Sequence, residues 1–239
     1  MIHTVAETGS TNADLVARLR AGEYLPEGDW LVAERQTAGR GRQGRSWFDG
    51  YGNFMGSTAI HLAACDPVAH TLALVASLAL YEAVLPLLPD PSTLTLKWPN
   101  DLMLGGAKLS GILLEREGQT VVLGIGVNLA AAPNLPDRRT ASLADIAPAP
   151  DRELFGTILA GHFSRELARW RQFGVEPIRS RWLAAAHPIG APIAVHDGSG
   201  DQLTGEFAGL SPEGSLLLRL EDGTTRAIHA GDVMLAEEA

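Results

Sequence analysis

An arginine-rich loop is the first stretch of this sequence whose composition is suited to chemistry. Residues 37–47 read Thr-Ala-Gly-Arg-Gly-Arg-Gln-Gly-Arg-Ser-Trp, and Arg35 lies just before them. The chain as a whole is acidic, with a formal net charge of -9. Glycine lets a backbone approach a ligand closely, and arginine supplies forked donors for carboxylate or phosphate. We therefore predict a flexible loop that closes over an anion; the alternative is a solvated surface loop.

The segment 97–101, Lys-Trp-Pro-Asn-Asp, is the second such stretch. Pro99 should end a strand and fix a turn, so that Asn100 and Asp101 project from a defined corner. The alternative is an ordinary Asn-Asp turn. Lys108 lies just beyond a predicted Gly-Gly turn and is expected near this corner. An ammonium group and a carboxylate so placed form either a surface ion pair of little energetic worth or a site for phosphate, Mg²⁺ and an amine.

Small polar residues precede the first pattern of apolar residues at helical spacing, at 15–19. They are Ser10, Thr11 and Asn12, and Thr11 with Asp14 loosely matches a capping box. These residues either cap a helix N-terminus or present hydroxyl and amide groups to a polar ligand, and the two roles are compatible.

The pattern of apolar and polar residues along the rest of the chain predicts an α+β fold with a mostly antiparallel or mixed sheet and packed helices. Strands are expected at 30–36, 54–62, 93–98 and 120–129, with a hairpin at 102–115. Further helices are expected at 70–88, 151–173 and 176–186, and a loop at 130–150. In the helix at 151–173, the predicted buried residues are Leu154, Ile158, Phe163, Leu167 and Trp170.

Residues 187–190, His-Pro-Ile-Gly, break the helical pattern, and we place a domain boundary there, between residues 1–187 and 188–239. The C-terminal part consists of strand-sized pieces between turns at 197–201, 211–214, 221–224 and 230–232. Such regular spacing is typical of a small β-barrel.

Composition excludes several classes of protein. The chain has 239 residues, of which 46% are hydrophobic, so it can form a substantial core. Its acidic balance argues against non-specific binding to nucleic acid. The single cysteine, Cys65, excludes an intramolecular disulfide and fits a reducing cytoplasm. No signal peptide is visible. The apolar stretch 72–88 contains Glu82 and Pro86, so it predicts a buried helix and not a membrane span. The seven histidines lack the spacing of metal ligands. We predict no structural metal.

One motif in the arginine-rich loop is rejected. Gly39, Gly41 and Gly44 formally match a dinucleotide-binding fingerprint. The intervening residues are arginines, no helical pattern follows, and no βαβ unit is predicted around the loop.

Taken together, the motifs resemble those of biotin protein ligases, also called biotin–[acetyl-CoA-carboxylase] ligases. The resemblance covers about residues 8–129 and rests on five segments in family order: Ser10-Thr-Asn12, the run at 39–48, Lys-Trp-Pro-Asn-Asp at 97–101, Lys-Leu-Ser-Gly-Ile-Leu-Leu-Glu at 108–115, and Gly-Ile-Gly-Val-Asn at 124–128. The family's fold implies a class II synthetase-like catalytic domain, here residues 1–187, and a small SH3-like β-barrel, here residues 188–239.

The resemblance also implies a two-step reaction with ATP, biotin and Mg²⁺. Biotin carboxylate would attack the α-phosphate of ATP to give biotinyl-5′-AMP and pyrophosphate. A lysine of a biotin carboxyl carrier protein, a subunit of acetyl-CoA carboxylase, would then attack the adenylate and release AMP. A homodimer formed through a sheet edge is compatible with the family, and no membrane partner is expected.

The roles of individual residues follow from the same resemblance. The biotin-binding residues would be Ser10, Thr11, Asn12, Gln36, Arg40, Gly41, Arg42, Lys108 and Gly111. The ATP- and adenylate-binding residues would be Arg40, Arg42, Trp47, Lys97, Asn100, Lys108 and Asn128. The catalytic residues would be Lys108, Arg42 and Asp101, with Asp101 orienting or deprotonating the incoming lysine.

The sequence departs from the family pattern in two places, and two other functions stay open. Some family members carry an N-terminal helix-turn-helix; only seven residues precede Thr8, so we expect ligase activity without DNA binding. An arginine found near the C-terminus of relatives is replaced by Ala236. The rivals are a lipoate or octanoate ligase or transferase, and a biotin-sensing or carrier-binding module without turnover.

Overall fold

A seven-stranded sheet dominates the structure, a computed structural model that describes residues 1–136, 138–196 and 202–235. Its strands are β1 Ile2–Thr8, β2 Trp30–Gln36, β3 Phe54–His61, β4 Leu94–Lys97, β5 Asp101–Leu104, β6 Ala107–Glu117 and β7 Thr120–Val127. Their hydrogen-bonded order is β1-β2-β3-β7-β6-β5-β4. The first two strands are parallel and every other neighbouring pair is antiparallel, so the predicted mixed sheet is confirmed.

Four α-helices accompany this sheet: α1 Thr11–Arg20, α2 Leu72–Val84, α3 Arg152–Phe173 and α4 Glu176–Ala185. Ten of the 13 residues of α2 are buried, and the helix packs against α3, α4 and the sheet. The segment Ala69–Leu87 is long and apolar enough to cross a membrane, with mean hydropathy 1.5, yet 61% of it is buried within the protein. This burial is what the sequence-based prediction of a core helix requires.

The strand β1 is absent from the sequence-based prediction. Its residues pair in parallel with β2, and α1 connects the two strands. A βαβ unit therefore does precede the arginine-rich loop, contrary to the expectation that none lies near it. The loop itself follows β2 and leads to the antiparallel strand β3 without an intervening α-helix, so the rejected dinucleotide fingerprint gains no support from this unit.

The predicted capping box at the start of α1 is wrong. Ser10 is the N-cap residue, and its hydroxyl accepts a hydrogen bond from the Ala13 amide at 3.5 Å. The Asp14 carboxylate instead accepts a hydrogen bond from the Thr8 hydroxyl at 2.5 Å. Thr11 is thereby left with its side chain directed to other partners, which are described below.

Two of the residues predicted to be buried in α3 are exposed: Leu154 by 59% and Ile158 by 40%. The other three, Phe163, Leu167 and Trp170, are buried as predicted, and in the first half of the helix the buried positions are Phe155 and Leu159, one residue further along. Close contact fixes this register, since a Cβ at Gly156 would lie 2.9 Å from the ring of Phe54.

A second, five-stranded sheet follows the helices. Its strands are β8 Pro192–His196, β9 Gln202–Leu210, β10 Leu216–Arg219, β11 Thr225–Ile228 and β12 Asp232–Leu235, in the order β11-β10-β9-β8-β12, all antiparallel. Among the described residues no pairing joins β11 to β12, so the predicted barrel is seen as an antiparallel sheet. The predicted turn at 197–201 and Ala236 lie outside the described residues. The boundary after residue 187 falls between α4 and β8 and stays a prediction.

Candidate ligand-binding and active site

A large cavity of about 1340 Å³ lies over one face of the seven-stranded sheet. Alternate residues of a strand face the same side, so neighbouring strands in register build its floor in rows. One row pairs Ser57, Gly124 and Leu113, and the next pairs Met55, Gly126 and Gly111.

The charge of the cavity is opposite to that of the chain. Seven of its described lining residues are cationic and two are carboxylates: Arg40, Arg42, Arg45, Lys97, Lys108, Arg138 and Arg139 against Asp101 and Asp232. A concave surface with this excess of positive charge attracts anions, even on a protein whose formal net charge is -9. The predicted anion-binding role therefore extends beyond the arginine-rich loop to the cavity as a whole.

Two glycines of β7 carry no side chain, so side chains from other elements can pack directly against the backbone of the strand. A Cβ at Gly126 would come within 2.2 Å of the Trp47 indole, and one at Gly124 would lie 2.3 Å from the side-chain oxygen of Asn12. Real Cβ atoms do not make such contacts, so both positions require glycine while these side chains keep their places.

A buried hydrogen-bonded cluster lines part of the cavity. The Gln36 side-chain oxygen accepts from the Thr11 amide at 2.7 Å, and the hydroxyls of Thr11 and Ser57 are 2.7 Å apart. Ser57 donates to the Asn12 side-chain oxygen at 2.6 Å, and the Asn12 amide donates to the Glu115 carboxylate at 2.8 Å. Sequence reasoning missed Ser57 and Glu115; they become visible as site residues only through the cross-strand register.

The arginine-rich loop is a short hairpin, which we call the lid hairpin, residues 39–47. Arg40 pairs with Ser46 in an isolated bridge, and the Trp47 amide donates to the Gly39 carbonyl at 2.9 Å. Positive φ angles of 56° at Gln43 and 73° at Gly44 form its turn. The glycine at the turn is therefore conformationally required.

The tip of the lid hairpin contacts the second sheet. The Arg42 guanidinium donates to the side-chain oxygen of Asn100 at 3.1 Å and to the Gly231 carbonyl at 3.3 Å. Arg45 forms an ion pair with Asp232. The strand β12 thus supplies one wall of the cavity, and no sequence motif had assigned Asp232 to the site.

The predicted corner after β4 carries a close ion pair. The Lys108 ammonium lies 2.6 Å from the Asp101 carboxylate, and the two side chains are only 19% and 17% exposed. Asn100 fixes the corner because its amide donates to the Ile112 carbonyl at 2.6 Å. The pair lies in the cavity and not on the open surface, which removes the reason for treating it as an energetically minor surface contact.

Two buried polar atoms on the cavity wall have no hydrogen-bond partner among the described residues: the indole nitrogen of Trp47 and the side-chain oxygen of Asn128. The other side-chain atom of Asn128, its amide nitrogen, donates to the Ala141 carbonyl at 3.1 Å. An unpaired buried donor and an unpaired buried acceptor on a cavity wall are a ready match for polar groups of a ligand.

Residues 133, 135–136 and 138–140 also line the cavity. Sequence reasoning treated this segment only as part of a loop, because its Ala- and Pro-rich composition carries no motif. Its backbone is nevertheless tied to the corner, since the Lys108 amide donates to the Arg139 carbonyl at 2.9 Å.

The cavity brings together every residue that the sequence had nominated for the site. They are Ser10, Thr11, Asn12, Gln36, Arg40, Gly41, Arg42, Trp47, Lys97, Asn100, Asp101, Lys108, Gly111 and Asn128. Their shared location is established; their individual roles stay predictions. Within residues 1–136, 138–196 and 202–235, no group of three or more His, Cys, Asp or Glu side chains could hold a metal ion.

Comparison with known proteins assigns the chain to a class. The model of the Biotin/lipoate A/B protein ligase family matches residues 8–129, and that of the Biotin protein ligase C terminal domain matches residues 189–235. The chain therefore belongs to the biotin/lipoate A/B protein ligase family, among its biotin protein ligases.

Individual relatives support the same family assignment. The chain is 38% identical over 226 residues to a biotin–[acetyl-CoA-carboxylase] ligase of Paracoccus denitrificans, covering 90% of this chain and 92% of the relative. It is 36% identical over 237 residues to the ligase of that name from Mycobacterium tuberculosis, covering 98% and 88%. A biotin protein ligase from Aquifex aeolicus, solved in complex with biotin and ATP, superimposes with a TM-score of 0.86 at 25% identity, covering 98% of this chain and 99% of that one.

Proposed function

We propose that this protein is a biotin–[biotin carboxyl-carrier protein] ligase, which joins biotin to one lysine of a carrier domain at the expense of ATP. The observation that carries the proposal is the cationic cavity, because hydroxyl and amide groups of the buried cluster and the Lys108–Asp101 pair line the same cavity. Such a cavity suits an acid with a polar uncharged head and a nucleotide. Membership of the biotin protein ligases supports the same function.

Biotin would lie with its ureido ring at the buried cluster. The polar groups of Ser10, Thr11, Asn12 and Gln36 are 3–7% exposed, so hydrogen bonds to them are protected from water. Gly111 on the floor and Arg40 and Gly41 in the lid hairpin would enclose the valeryl chain. Its carboxylate would then point toward Lys108.

ATP would occupy the side of the cavity that holds Trp47, Asn128 and Lys97. The unpaired indole nitrogen and amide oxygen would bind polar groups of the nucleotide. Arg42, Lys108 and Asn100 would surround the α-phosphate, where two anions must meet and positive charge lowers the barrier.

Mg²⁺ would be held chiefly by ATP phosphate oxygens. Asp101 and Asp232 are the described carboxylates of the cavity, and one or two carboxylates with phosphate oxygens suit this ion. When bound, it would neutralise phosphate charge.

The second step requires a neutral lysine amine from the carrier. Asp101 is the carboxylate beside the reacting region, and we assign it the orientation or deprotonation of that amine. The lid hairpin would keep water from the adenylate until the carrier arrives. A carrier domain of acetyl-CoA carboxylase is the acceptor that the relatives' names imply; homodimerisation and a cytoplasmic location stay predictions.

Exchange of labelled pyrophosphate into ATP tests the proposal. We expect exchange that depends on biotin, followed by transfer of biotin to a carrier domain. Exchange with lipoate alone would support the lipoate ligase alternative, and no exchange with either acid would support a binding module without turnover.

A further inference from the structure

Glu115 lies directly behind the buried cluster without lining the cavity. It occupies β6 two residues after Leu113, a residue of the cavity floor, and therefore faces the same side of the sheet. One carboxylate oxygen accepts from the Asn12 amide at 2.8 Å, and the other lies 4.0 Å from the Arg40 guanidinium. The Arg40 contact is exposed and long, so the Asn12 contact is the informative one.

The charge of Glu115 determines which way the Asn12 amide points. A carboxylate only accepts hydrogen bonds, so it must face the Asn12 nitrogen. Rotation of the amide by half a turn would set its oxygen against the carboxylate and its nitrogen against Ser57. The Asn12 oxygen is therefore held toward Ser57, 2.6 Å from the hydroxyl.

This orientation directs the protons along the cluster. The single Ser57 proton goes to the Asn12 oxygen, so Ser57 can only accept from the Thr11 hydroxyl 2.7 Å away. The Thr11 hydroxyl therefore donates to Ser57; it also lies 3.1 Å from the Gln36 side-chain oxygen, which accepts from the Thr11 backbone amide at 2.7 Å. The side-chain donors of Thr11, Ser57 and Asn12 thus point in turn toward Glu115, and the hydroxyl oxygens of Thr11 and Ser57 can offer a ligand only lone pairs.

We infer that Glu115 sets the direction of this hydrogen-bond chain and thereby makes the cluster an acceptor of ligand N–H groups. The inference rests on the proposed function. The biotin ureido ring carries two N–H donors, whereas the dithiolane ring of lipoate carries none. Glu115 is accordingly a positioning residue, which acts through Asn12 and favours a ureido head over a ring without N–H donors.

Substitution of Glu115 tests the inference with a control on the same strand. Glu115→Met removes the acceptor at similar size, and Glu115→Gln restores an oxygen that can accept from Asn12. Glu117 provides the matched control: it lies two residues further along β6, its side chain is 34% exposed against 30% for Glu115, and it forms an ion pair with Arg20.

Steady-state pyrophosphate exchange gives the readout, with KM determined separately for biotin, desthiobiotin and ATP. We expect Glu115→Met to raise KM about tenfold for biotin and for desthiobiotin, which keeps the ureido ring, with KM for ATP changed less than about twofold. Glu115→Gln should recover most of the loss, and Glu117→Met should match the wild type. An unchanged KM for biotin, or equal losses for biotin and ATP, would overturn the inference.

A double-mutant cycle serves as the second measurement should the methionine variant fail to fold. If Glu115 acts through the chain, Glu115→Gln should raise KM for biotin about threefold in the wild type and leave it unchanged in a Ser57→Ala background. Additive effects would overturn the inference. Absence of biotin-dependent exchange in the wild type would instead refute the proposed function itself.

Discussion

The indole of Trp47 lies on the bare backbone of Gly126: a Cβ at that glycine would come within 2.2 Å of the indole carbon Cε2. The lid hairpin ends at this tryptophan, and the glycine belongs to the central strand β7. One close contact thus seats the lid hairpin on the sheet and places the indole against the floor of the cavity.

Gly126→Ala should displace the indole and weaken nucleotide binding. Overpacking of this kind typically costs about 1–3 kcal/mol, so we expect KM for ATP to rise on the order of tenfold in pyrophosphate exchange. Gly161→Ala in α3 is the control, because nothing lies within 4 Å of a Cβ built there. Equal KM values for ATP in both variants would show that the indole is not seated by Gly126.

Arg42→Gly should loosen the lid hairpin and release adenylate. The substitution removes the hydrogen bonds to Asn100 and to the Gly231 carbonyl. We expect stray biotinylation of lysines on bystander proteins, detected by mass spectrometry. The control is Arg35→Gly, because Arg35 contacts Asp49 and Glu7 outside the cavity. No rise in stray labelling over that control would count against a sealing role.

Asp101→Asn should separate the two steps of the reaction. The amide cannot take a proton from the acceptor lysine, so transfer from preformed biotinyl-5′-AMP should slow by roughly 100-fold. Pyrophosphate exchange should fall much less. If exchange and transfer fall equally, Asp101 serves the Lys108 ion pair alone.

Lys108→Met should impair the first step of the reaction more than the second, the reverse of the effect expected for Asp101→Asn. In the proposed mechanism Lys108 lies where the biotin carboxylate meets the α-phosphate; removal of its ammonium group should then lower the rate of exchange by roughly 100- to 1000-fold. Transfer from preformed biotinyl-5′-AMP should retain more activity than exchange does. Single-turnover assays of each half-reaction provide the comparison.

Glu27 should make stability depend on pH. Burial raises its pKa, but hydrogen bonds from Arg171 and the His61 amide outweigh that effect and hold the pKa below its ordinary value of 4.5. A carboxyl whose pKa is lowered by folding stabilises the protein above the ordinary pKa, and this contribution is lost as pH falls through the lowered value.

Urea unfolding of Glu27→Gln between pH 7 and pH 3 measures this contribution. We expect a loss on the order of 1 kcal/mol at pH 7, because the partly buried Arg171 pair is weakened, and convergence with the wild type in acid. Glu23→Gln, at a more exposed pair with Arg18, should change stability less. A constant difference across the whole pH range would contradict the linkage.

Most of the strands and helices could be predicted because their signals are local. Alternating polar and apolar residues and the Gly-Gly turn placed the ends of β2 and of the β5–β6 hairpin to within two residues. The strand β1 escaped because the short polar-apolar mixture of residues 2–8 has no such pattern; its partner β2 defines it. In α3, five apolar residues on two faces left the buried face ambiguous until contact with Phe54 selected it.

The motif residues of the site could be predicted from the sequence, but the residues that hydrogen-bond or pair with them could not. Arg42, Lys108 and Asp101 lie in recognisable segments with residue types that suggest a role. Glu115 ends one of those segments but received no role, and Ser57 and Asp232 look ordinary in sequence. Their importance depends on cross-strand register and on contact between the two sheets. Such information arises when residues distant in sequence meet, as Ser57 and Asn12 do across 45 positions and Asn12 and Glu115 do across 103.

The contact between the lid hairpin and β12 also bears on how the protein is made. Arg42 and its acceptor Gly231 are 189 residues apart in sequence, so the ribosome synthesises all seven strands of the first sheet before it reaches the acceptor. Since domains generally fold as units during synthesis, the seven-stranded sheet can form first. A nascent chain at that stage would hold the buried cluster while its lid hairpin still lacked an anchor on β12.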